Sequence, residues 1–508
     1  MGPLSIEEEQ RTTVLSDIKK MPNEIVARIF TAGTNFWREE GPSGLPFPVL
    51  VSSVCHRWRL LAQSTPELWS LIIPPLHVFN TAEDGERWTS EWIARSGALA
   101  VSIIIDDRLR IKGNHPKQQS QAVILGVLRA IGLHGHQLRR LDIWSQHVFP
   151  TDLNPVFQNA VQLRQLSLCC GRITQTQILP NSSPHTSHLF SWFARLPRLH
   201  KLRLAGSLFP VVSSITTLSV HELCTQYSEV QTIFSTCPNI TTLVLPQLLP
   251  IAFPPSPTPL IPAPSLKSMA ASFKRFPHAE SNLPYLVGIL HMPNLEYLEV
   301  DGDADMSAIF DKSLSSTKIR TLRLTRRPKV HRADQTLLRS LTDLRQLELK
   351  DVPAEGLLSD TTATPTVGRK HSISSLFSLS LNSSSSSPGH ISCWPLLTEI
   401  TLDTISQEDV MHLCRFANLN RGVKTIHLSR HANRHLSSSL LRNNDIIYVK
   451  EPSSSWKRKG SPDSGINDVG DWLRKLVEVK VFKHSPGMID REAFPLQELC
   501  KSTLRFDS

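Results

Sequence analysis

The sequence predicts an α/β protein in which a helical N-terminal unit precedes a long series of short parallel strands. Three observations predict this class: amphipathic helical spacing between residues 21 and 70, a Leu-rich strand pattern that recurs along the chain, and helical spacing ahead of many of those strands. Since 508 residues exceed one ordinary hydrophobic core, we expect several domains or a repeat array.

The first helix is predicted over residues 21–30. Pro22 lies at the beginning of this stretch, one residue ahead of Asn23, and Ile25, Ile29 and Phe30 follow at helical spacing, so that they form one apolar stripe. Glycines and prolines after this stripe predict a break in the chain: Gly41, Pro42, Gly44, Pro46 and Pro48.

A second apolar stripe follows the break. Its members recur at helical spacing and predict a single helical face about 20 Å long. They are Val51, Val54, Cys55, Trp58, Leu61 and Ala62.

Residues 21–70 together carry a recognisable order of motifs. Met-Pro-x-Glu-Ile and Ile-Phe come first, then Val-Ser-x-Val-Cys-x-x-Trp-Arg-x-Leu-Ala, and finally Thr-Pro-x-Leu-Trp. This order resembles the F-box, in particular the F-box-like form that opens many large fungal F-box proteins. Two departures are Met21, where Leu is usual, and a long insert at residues 31–44.

The resemblance implies a docking role. F-box proteins bind a Skp-type adaptor, which is held by a cullin scaffold that carries a RING subunit and a ubiquitin-conjugating enzyme. The residues that would contact the adaptor are Met21, Pro22, Ile25, Ile29, Phe30, Val51, Val54, Cys55, Trp58 and Leu61. The alternative is a plain helical hairpin whose stripes meet only each other or the rest of the chain.

Residues 1–14 are predicted to be a flexible N-terminus, residues 15–75 the F-box-like domain and residues 76–110 a connecting segment. In that segment Trp88 and Trp92 lie four residues apart on one helical face, ahead of a buried strand over residues 101–105.

From residue 111 to residue 508 the dominant pattern is x-Leu-x-x-Leu-x-Leu. Many neighbouring copies lie 24 to 29 residues apart, which is the period of leucine-rich repeats. The clear copies begin at residues 138, 163, 199, 215, 240, 295, 319, 344, 376, 397 and 423, and weaker ones at Leu266 and Leu476. The pattern predicts a solenoid with parallel strands and with helices on the convex side. An ordinary α/β domain is the alternative.

The repeats are irregular, because the Asn or Cys expected three places after the last Leu is missing. The residues at that place in four copies are Ser207, Asp303, Arg327 and Val352. Disordered inserts are predicted near residues 251–265, 359–390 and 451–466, where Pro or Ser dominates.

Composition narrows the class of protein. The net charge of +10 allows an acidic or phosphate-rich partner. Eight cysteines without a paired framework predict reduced thiols in the cytoplasm or nucleus. Neither a secretory signal nor a membrane-spanning run is predicted.

Weak matches are all that a search for chemistry yields. Asp301, Asp303 and Asp305 imitate the start of a calcium loop, but Met306 replaces the required Gly. His431 and His435 lack the Glu of a metalloprotease helix. We therefore expect no catalytic site, no metal and no cofactor in this chain.

The resemblance and the repeats together predict the substrate-recognition subunit of an SCF-type ubiquitin ligase. The alternative is a leucine-rich interaction scaffold without substrate turnover; nucleic-acid binding would rest on net charge alone. Substrate contact is assigned to a basic cluster, Arg320, Arg323, Arg326 and Arg327, which would hold a phosphorylated or acidic segment. Ordinary solvated charges on a strand are the alternative for this cluster.

Overall fold

The protein is described here from a computed structural model, which shows an α/β architecture with eight helices and a large set of parallel strands among the described residues. The described residues are 20–40, 46–107, 117–145, 153–170, 193–205, 213–221, 227–246, 259–273, 286–303, 306, 318–327, 332–352, 394–405, 413, 416–417, 420, 422–429, 432–433, 447–450, 456–459, 473–474 and 477–482. The predicted flexible N-terminus and the predicted insert at 359–390 lie outside them.

Two compact units make up the chain, residues 1–215 and residues 216–508. The N-terminal helices belong to the first unit together with its strands, whereas the sequence predicted a boundary near residue 75. Trp69 explains this difference. Its indole N–H donates to the carbonyl oxygen of Ala62 at 2.8 Å, and its ring meets Trp92 edge-on with centroids 4.9 Å apart. The helices and the first strands are thus joined through buried aromatic contacts.

Three helices form the N-terminal end: α1 (Asn23–Glu40), α2 (Phe47–Val54) and α3 (His56–Gln63). Helix α1 extends well past the predicted end at residue 30, so residues 31–40, interpreted as an insert, are its second half. Pro46 precedes α2 and Pro48 lies in its first turn, where a missing N–H breaks no helical hydrogen bond. The break predicted from the glycines and prolines is present, since α1 ends at Glu40 and α2 begins at Phe47, although Pro48 itself lies inside α2.

The predicted single helix over residues 51–62 is divided at Cys55. This residue has extended backbone angles, φ −159° and ψ 169°, and it separates α2 from α3. Its Sγ accepts a hydrogen bond from the backbone N–H of Trp58 at 3.5 Å, which caps α3. The continuous 20 Å stripe was therefore wrong, because the side chain that was assigned to the apolar face is used as a helix cap.

The first unit continues with five parallel strands in sequence order: β1 (Leu71–Ile72), β2 (Val101–Asp106), β3 (Leu138–Ser145), β4 (Gln165–Cys170) and β5 (Lys201–Ala205). Its further helices are α4 (Ala82–Arg95), α5 (Lys117–Leu133) and α6 (Asn154–Gln158). Trp88 and Trp92 stack on α4 with centroids 4.4 Å apart, and Gly97 follows the helix with φ +62°. The predicted connecting helix and strand are confirmed.

The second unit contains nine parallel strands and two helices, α7 (Tyr227–Thr236) and α8 (Arg332–Arg339), among its described residues. The strands are β6 (Thr217–His221), β7 (Thr242–Leu245), β9 (Ser268–Ser272), β11 (Tyr297–Asp301), β12 (Thr321–Thr325), β13 (Gln346–Lys350), β14 (Glu399–Leu402), β15 (Thr425–Ser429) and β18 (Glu478–Phe482), adjacent in that order. Two short pairs stand apart from them, β8 (Ile261–Pro262) with β10 (Leu290–His291) and β16 (Ile447–Lys450) with β17 (Trp456–Lys459).

The Leu-rich copies correspond to these strands. Ten of the eleven clear copies and both weak ones coincide with strands β3 to β18, while the copy at residue 376 lies outside the described residues. Equivalent leucines are in register across strands, as Leu298, Leu322 and Leu347 show, and all three are fully buried. The predicted strands are confirmed because alternation with period two selects one buried face.

Two predicted disordered inserts contain ordered residues. Ile261, in the proline-rich insert, is buried in β8, and the hydroxyl of Tyr227 donates to the carbonyl oxygen of Pro259 at 3.0 Å. In the insert at 451–466, strand β17 pairs with β16 in antiparallel register. The prediction of disorder was wrong for residues 259–265 and 456–459, because strand pairing satisfies the backbone there.

Candidate functional site

The exposed apolar side chains of α1 form the first part of the candidate site. Ile25 and Ile29 are 42% and 50% exposed, one turn apart. Val26 and Phe30, which follow each of them directly in the chain, are buried. Helix α1 therefore has two apolar faces, one for the core and one for solvent, and Phe30 belongs to the core rather than to the predicted contact surface.

Helices α2 and α3 contribute the second part. Val54 is 58% exposed, whereas Val51, assigned to the same surface, is 4% exposed and faces the core. Leu50 and Leu60 are 49% and 54% exposed, and sequence reasoning missed both. They were missed because the stripe was drawn for one continuous helix, and the break at Cys55 turns the residues of α3 out of phase with those of α2.

The remaining predicted contact residues lie at the margin of this surface. Met21, Trp58 and Leu61 are half-buried, while Pro22 and Cys55 are exposed. The Trp58 ring meets Phe30 edge-on with centroids 4.9 Å apart. Trp58 therefore joins α3 to α1, in addition to any surface that it presents.

Two contacts hold the three helices in place. The Arg57 guanidinium donates to the Asn23 side-chain oxygen through Nε at 3.1 Å and Nη2 at 2.9 Å, and also to the carbonyl oxygen of Met21. A side chain at Gly33 would lie 2.3 Å from the Phe47 ring, so only glycine allows this ring to pack there. The exposed residues are thus carried on helices whose mutual positions are set by specific contacts.

We call the exposed apolar residues of these helices the docking face: Ile25, Ile29, Leu50, Val54 and Leu60. These five are among twelve large exposed hydrophobic side chains in the described part of the chain, and all five lie on the three helices between Asn23 and Gln63. Exposed apolar side chains concentrated in this way are typical of a protein-binding surface.

Comparison with known families and with curated proteins finds no family model and no curated protein that matches this chain. The site is therefore interpreted from its own geometry and from the sequence pattern.

The predicted basic cluster is neutralised by neighbouring carboxylates. Arg323 is nearly buried between two of them, with Glu348 at 2.8 Å and Glu299 at 3.8 Å. Arg326 binds Asp301 through both its Nε, at 2.6 Å, and its Nη2. These arginines cannot act together as a free cationic surface, since their charge is already matched within the sheet.

Arg327 departs furthest from the prediction. Its side chain has no exposed surface, and Nη2 lies 2.6 Å from a carboxylate oxygen of Asp334, which is equally buried. It occupies the place where an Asn or Cys was expected after β12. Its assignment to substrate binding was wrong, because a guanidinium buried in an ion pair is inaccessible to a macromolecule.

Arg320 is the one member of the cluster that is not paired with a buried carboxylate, although the Arg326 side chain is also half-exposed. The Arg320 side chain is half-exposed, and its only ion pair among the described residues is with the half-exposed Glu296 at 3.6 Å. An exposed pair of this kind contributes little to stability and is easily exchanged for another partner.

Burial and hydrogen bonding shift the pKa values of two ionisable groups on the sheet. Burial raises the pKa of the Tyr297 hydroxyl, and the adjacent Glu299 carboxylate, which accepts its hydrogen bond at 2.9 Å, raises it further. At the open end of the sheet, hydrogen bonding to Lys480 lowers the pKa of the exposed Glu478 carboxyl.

The structure adds no support for the two weak metal-site patterns of the sequence, the calcium-loop imitation and the His431 and His435 pair. No group of His, Cys, Asp or Glu in the described residues has an arrangement that holds a metal ion. Asp301 of the imitation calcium loop accepts hydrogen bonds from Ser272 and Arg326, and His431 and His435 lie outside the described residues. Among the described helices none is long and apolar enough to cross a bilayer.

Proposed function

We propose that this chain is the substrate-recognition subunit of an SCF-type ubiquitin ligase. Helices α1 to α3 would be an F-box-like unit that binds a Skp-type adaptor, and through it the cullin and RING subunits. The docking face is the observation that carries this proposal: five exposed apolar side chains, on helices that have already buried Val26, Phe30, Val51 and Ala62 against their own core.

The size of the docking face agrees with partner binding. Covering five half-exposed aliphatic side chains would contribute roughly 1 kcal/mol each, on the order of 5 kcal/mol in total. Association costs about 4 to 15 kcal/mol in lost freedom of motion, so polar contacts at the margin must add to this. The exposed Arg28 and Arg59 lie there, on α1 and α3, and Nε of Arg59 donates to the carbonyl oxygen of Ser52 at 3.1 Å.

The parallel strands would form a leucine-rich-repeat solenoid that selects the substrate. One strand per Leu-rich copy, parallel pairing in register and the period of 24 to 29 residues support this interpretation. The buried Arg327 and Asp334 would replace the usual side-chain ladder at one turn of such a solenoid. In this assembly the chain provides proximity, because it raises the effective concentration of a substrate lysine near the charged ubiquitin carrier.

Co-purification of the full chain with a Skp-type adaptor and a cullin tests the proposal. Ile29→Asp and Val54→Asp should each lower the recovered adaptor at least about ten-fold, since a carboxylate would be buried without a partner. Leu133→Asp is the matched control: it changes an exposed aliphatic residue outside the docking face, 69% exposed, and should leave recovery unchanged.

The midpoint temperature of thermal unfolding of each variant should stay near that of the native protein, since each change is at an exposed position. A native chain that recovers no adaptor would contradict the proposal, as would equal recovery with all three variants. An adaptor that binds while no substrate is ubiquitinated would instead favour the interaction scaffold.

A further inference from the structure

A row of cations runs along the edge of the sheet at which its strands begin. The residue directly before a strand occupies the same place each time, and we call these residues the strand-start row. In the second unit they are Thr216, Thr241, Lys267, Glu296, Arg320, Arg345, Thr398, Lys424 and Val477, before β6, β7, β9, β11, β12, β13, β14, β15 and β18 respectively. Four of the nine are basic and one is acidic, and the last, Val477, is buried.

Backbone hydrogen bonds confirm that this row is continuous. The N–H of Arg320 donates to the carbonyl oxygen of Glu296, that of Arg345 to Arg320, that of Thr398 to Arg345 and that of Lys424 to Thr398, all at 2.8 to 2.9 Å. Adjacent strands lie about 4.8 Å apart, so Lys267 is ~10 Å from Arg320 at the backbone, and Arg345 is ~10 Å from Lys424.

These cations are exposed and largely uncommitted. Lys267, Arg345 and Lys424 are exposed and make no ion pair with another described residue. Arg320 has only its exposed pair with Glu296. Arg323, Arg326 and Arg327, in the middle and at the end of β12, are instead each paired with a buried carboxylate. We therefore place the candidate binding surface at the start of the strands.

The first position within each strand adds hydrogen-bonding groups beside the cations. Thr321, Gln346, Glu399 and Thr425 are half-buried there, and Gln346 donates to the Glu399 carboxylate at 3.0 Å. Carboxylates at Glu296 and Glu399 would repel a continuous polyphosphate. Hydroxyl and amide groups instead fit the backbone and side chains of a peptide.

From this arrangement we infer that the strand-start row of the second unit binds an extended acidic segment of a partner protein. In a polyproline II conformation, carboxylates three residues apart lie on the same side of such a segment, ~9 Å apart, and match the longer intervals of the row. Two exposed arginines of the first unit occupy an equivalent place. Arg164 directly precedes β4, and its N–H donates to the carbonyl oxygen of Arg139, which precedes Arg140, the residue of β3 that pairs with the first residue of β4. Interpreting the segment as part of a ubiquitination substrate rests on the function proposed above; the binding itself does not.

Fluorescence anisotropy with the purified full chain tests the inference without the adaptor. The probe is a labelled twelve-residue peptide with Glu at every third position and Gly or Ser elsewhere. We expect saturable binding that weakens as salt is raised, because the contacts are exposed charge pairs. The double variant Arg345→Glu with Lys424→Glu should bind at least about ten-fold more weakly, and it should bind the peptide with Lys in place of Glu.

The matched control is Arg87→Glu with Arg474→Glu, which makes the same change in net charge at exposed arginines outside the row. It should retain binding of the acidic peptide. An equal loss in control and test variants would reduce the effect to net charge and overturn the inference. Tighter binding of a single-stranded RNA than of the peptide, lost in the same test variant, would assign the row to nucleic acid instead.

Discussion

Arg327 and Asp334 form an ion pair in which neither side chain has exposed surface. Removal of one member leaves the other charge buried without its partner, which is far more costly than the pair itself is stabilising. We expect Arg327→Ala to lower the free energy of unfolding by about 3 to 5 kcal/mol. Denaturant-induced unfolding followed by circular dichroism measures this.

The double variant Arg327→Met with Asp334→Leu is the control for that experiment. It removes both charges and keeps much of the side-chain volume, so it should be clearly more stable than Arg327→Ala. A single variant as stable as the native protein would contradict the burial of this pair.

Arg323 shows that an arginine in the sequence does not always present its positive charge to a binding partner. Its guanidinium is held by Glu299 and Glu348, so charge reversal there would bring a third carboxylate into a nearly buried site. A loss of substrate binding in such a variant would reflect misfolding as much as a lost contact. Arg345 and Lys424 are better positions for charge reversal, because both are exposed.

At the scale of helices, the approach of α1 to α2 depends on Gly33. A side chain there would overlap the Phe47 ring, with 2.3 Å to its nearest atom. We expect Gly33→Ala to displace α2 and to destabilise the protein by about 1 to 3 kcal/mol, despite the better helix propensity of Ala. The midpoint temperature of thermal unfolding and the amount of adaptor recovered should both decrease.

A second substitution separates the overlap from other effects of the alanine. Phe47→Leu in the Gly33→Ala background shortens the opposing side chain and should restore part of the lost stability. If the double variant is no more stable than Gly33→Ala alone, Gly33 is required for a reason other than its contact with Phe47.

Over the whole molecule, the docking face and the cations Arg345 and Lys424 lie in different compact units. Substitutions without shared contacts act additively. We therefore expect Ile29→Asp to lower adaptor recovery at least about ten-fold with no change in peptide affinity. Arg345→Glu with Lys424→Glu should weaken peptide binding at least about ten-fold with no change in adaptor recovery. Adaptor pull-down and anisotropy on the same preparations measure both.

Coupling of the two sites would appear as a changed peptide affinity in the presence of saturating adaptor. Such a change would contradict independent sites and would require that the two ligands favour different states of the chain.

The sequence by itself determined where the strands lie. Alternation with period two and the recurrence of the Leu-rich pattern are local signals, and they predicted the described strands of the large sheet from β3 onward, but not the short parallel pair β8 and β10. The same repeat spacing carried a signal that was not used. Arg323 and Glu348 are 25 residues apart on the adjacent strands β12 and β13, and Arg326, which directly follows β12, is 25 residues from Asp301 of the adjacent strand β11.

Only the tertiary structure decided which side chains remain available for a partner. Exposure depends on what packs against a residue from elsewhere in the chain, and local spacing does not contain that information. Phe30 and Leu60 illustrate this, since the helical pattern assigned the first to a partner and omitted the second, and packing reversed both. The role of Cys55 likewise depends on its conformation in the fold: it fits an apolar stripe in the sequence, but in the structure its side chain caps the N-terminus of α3.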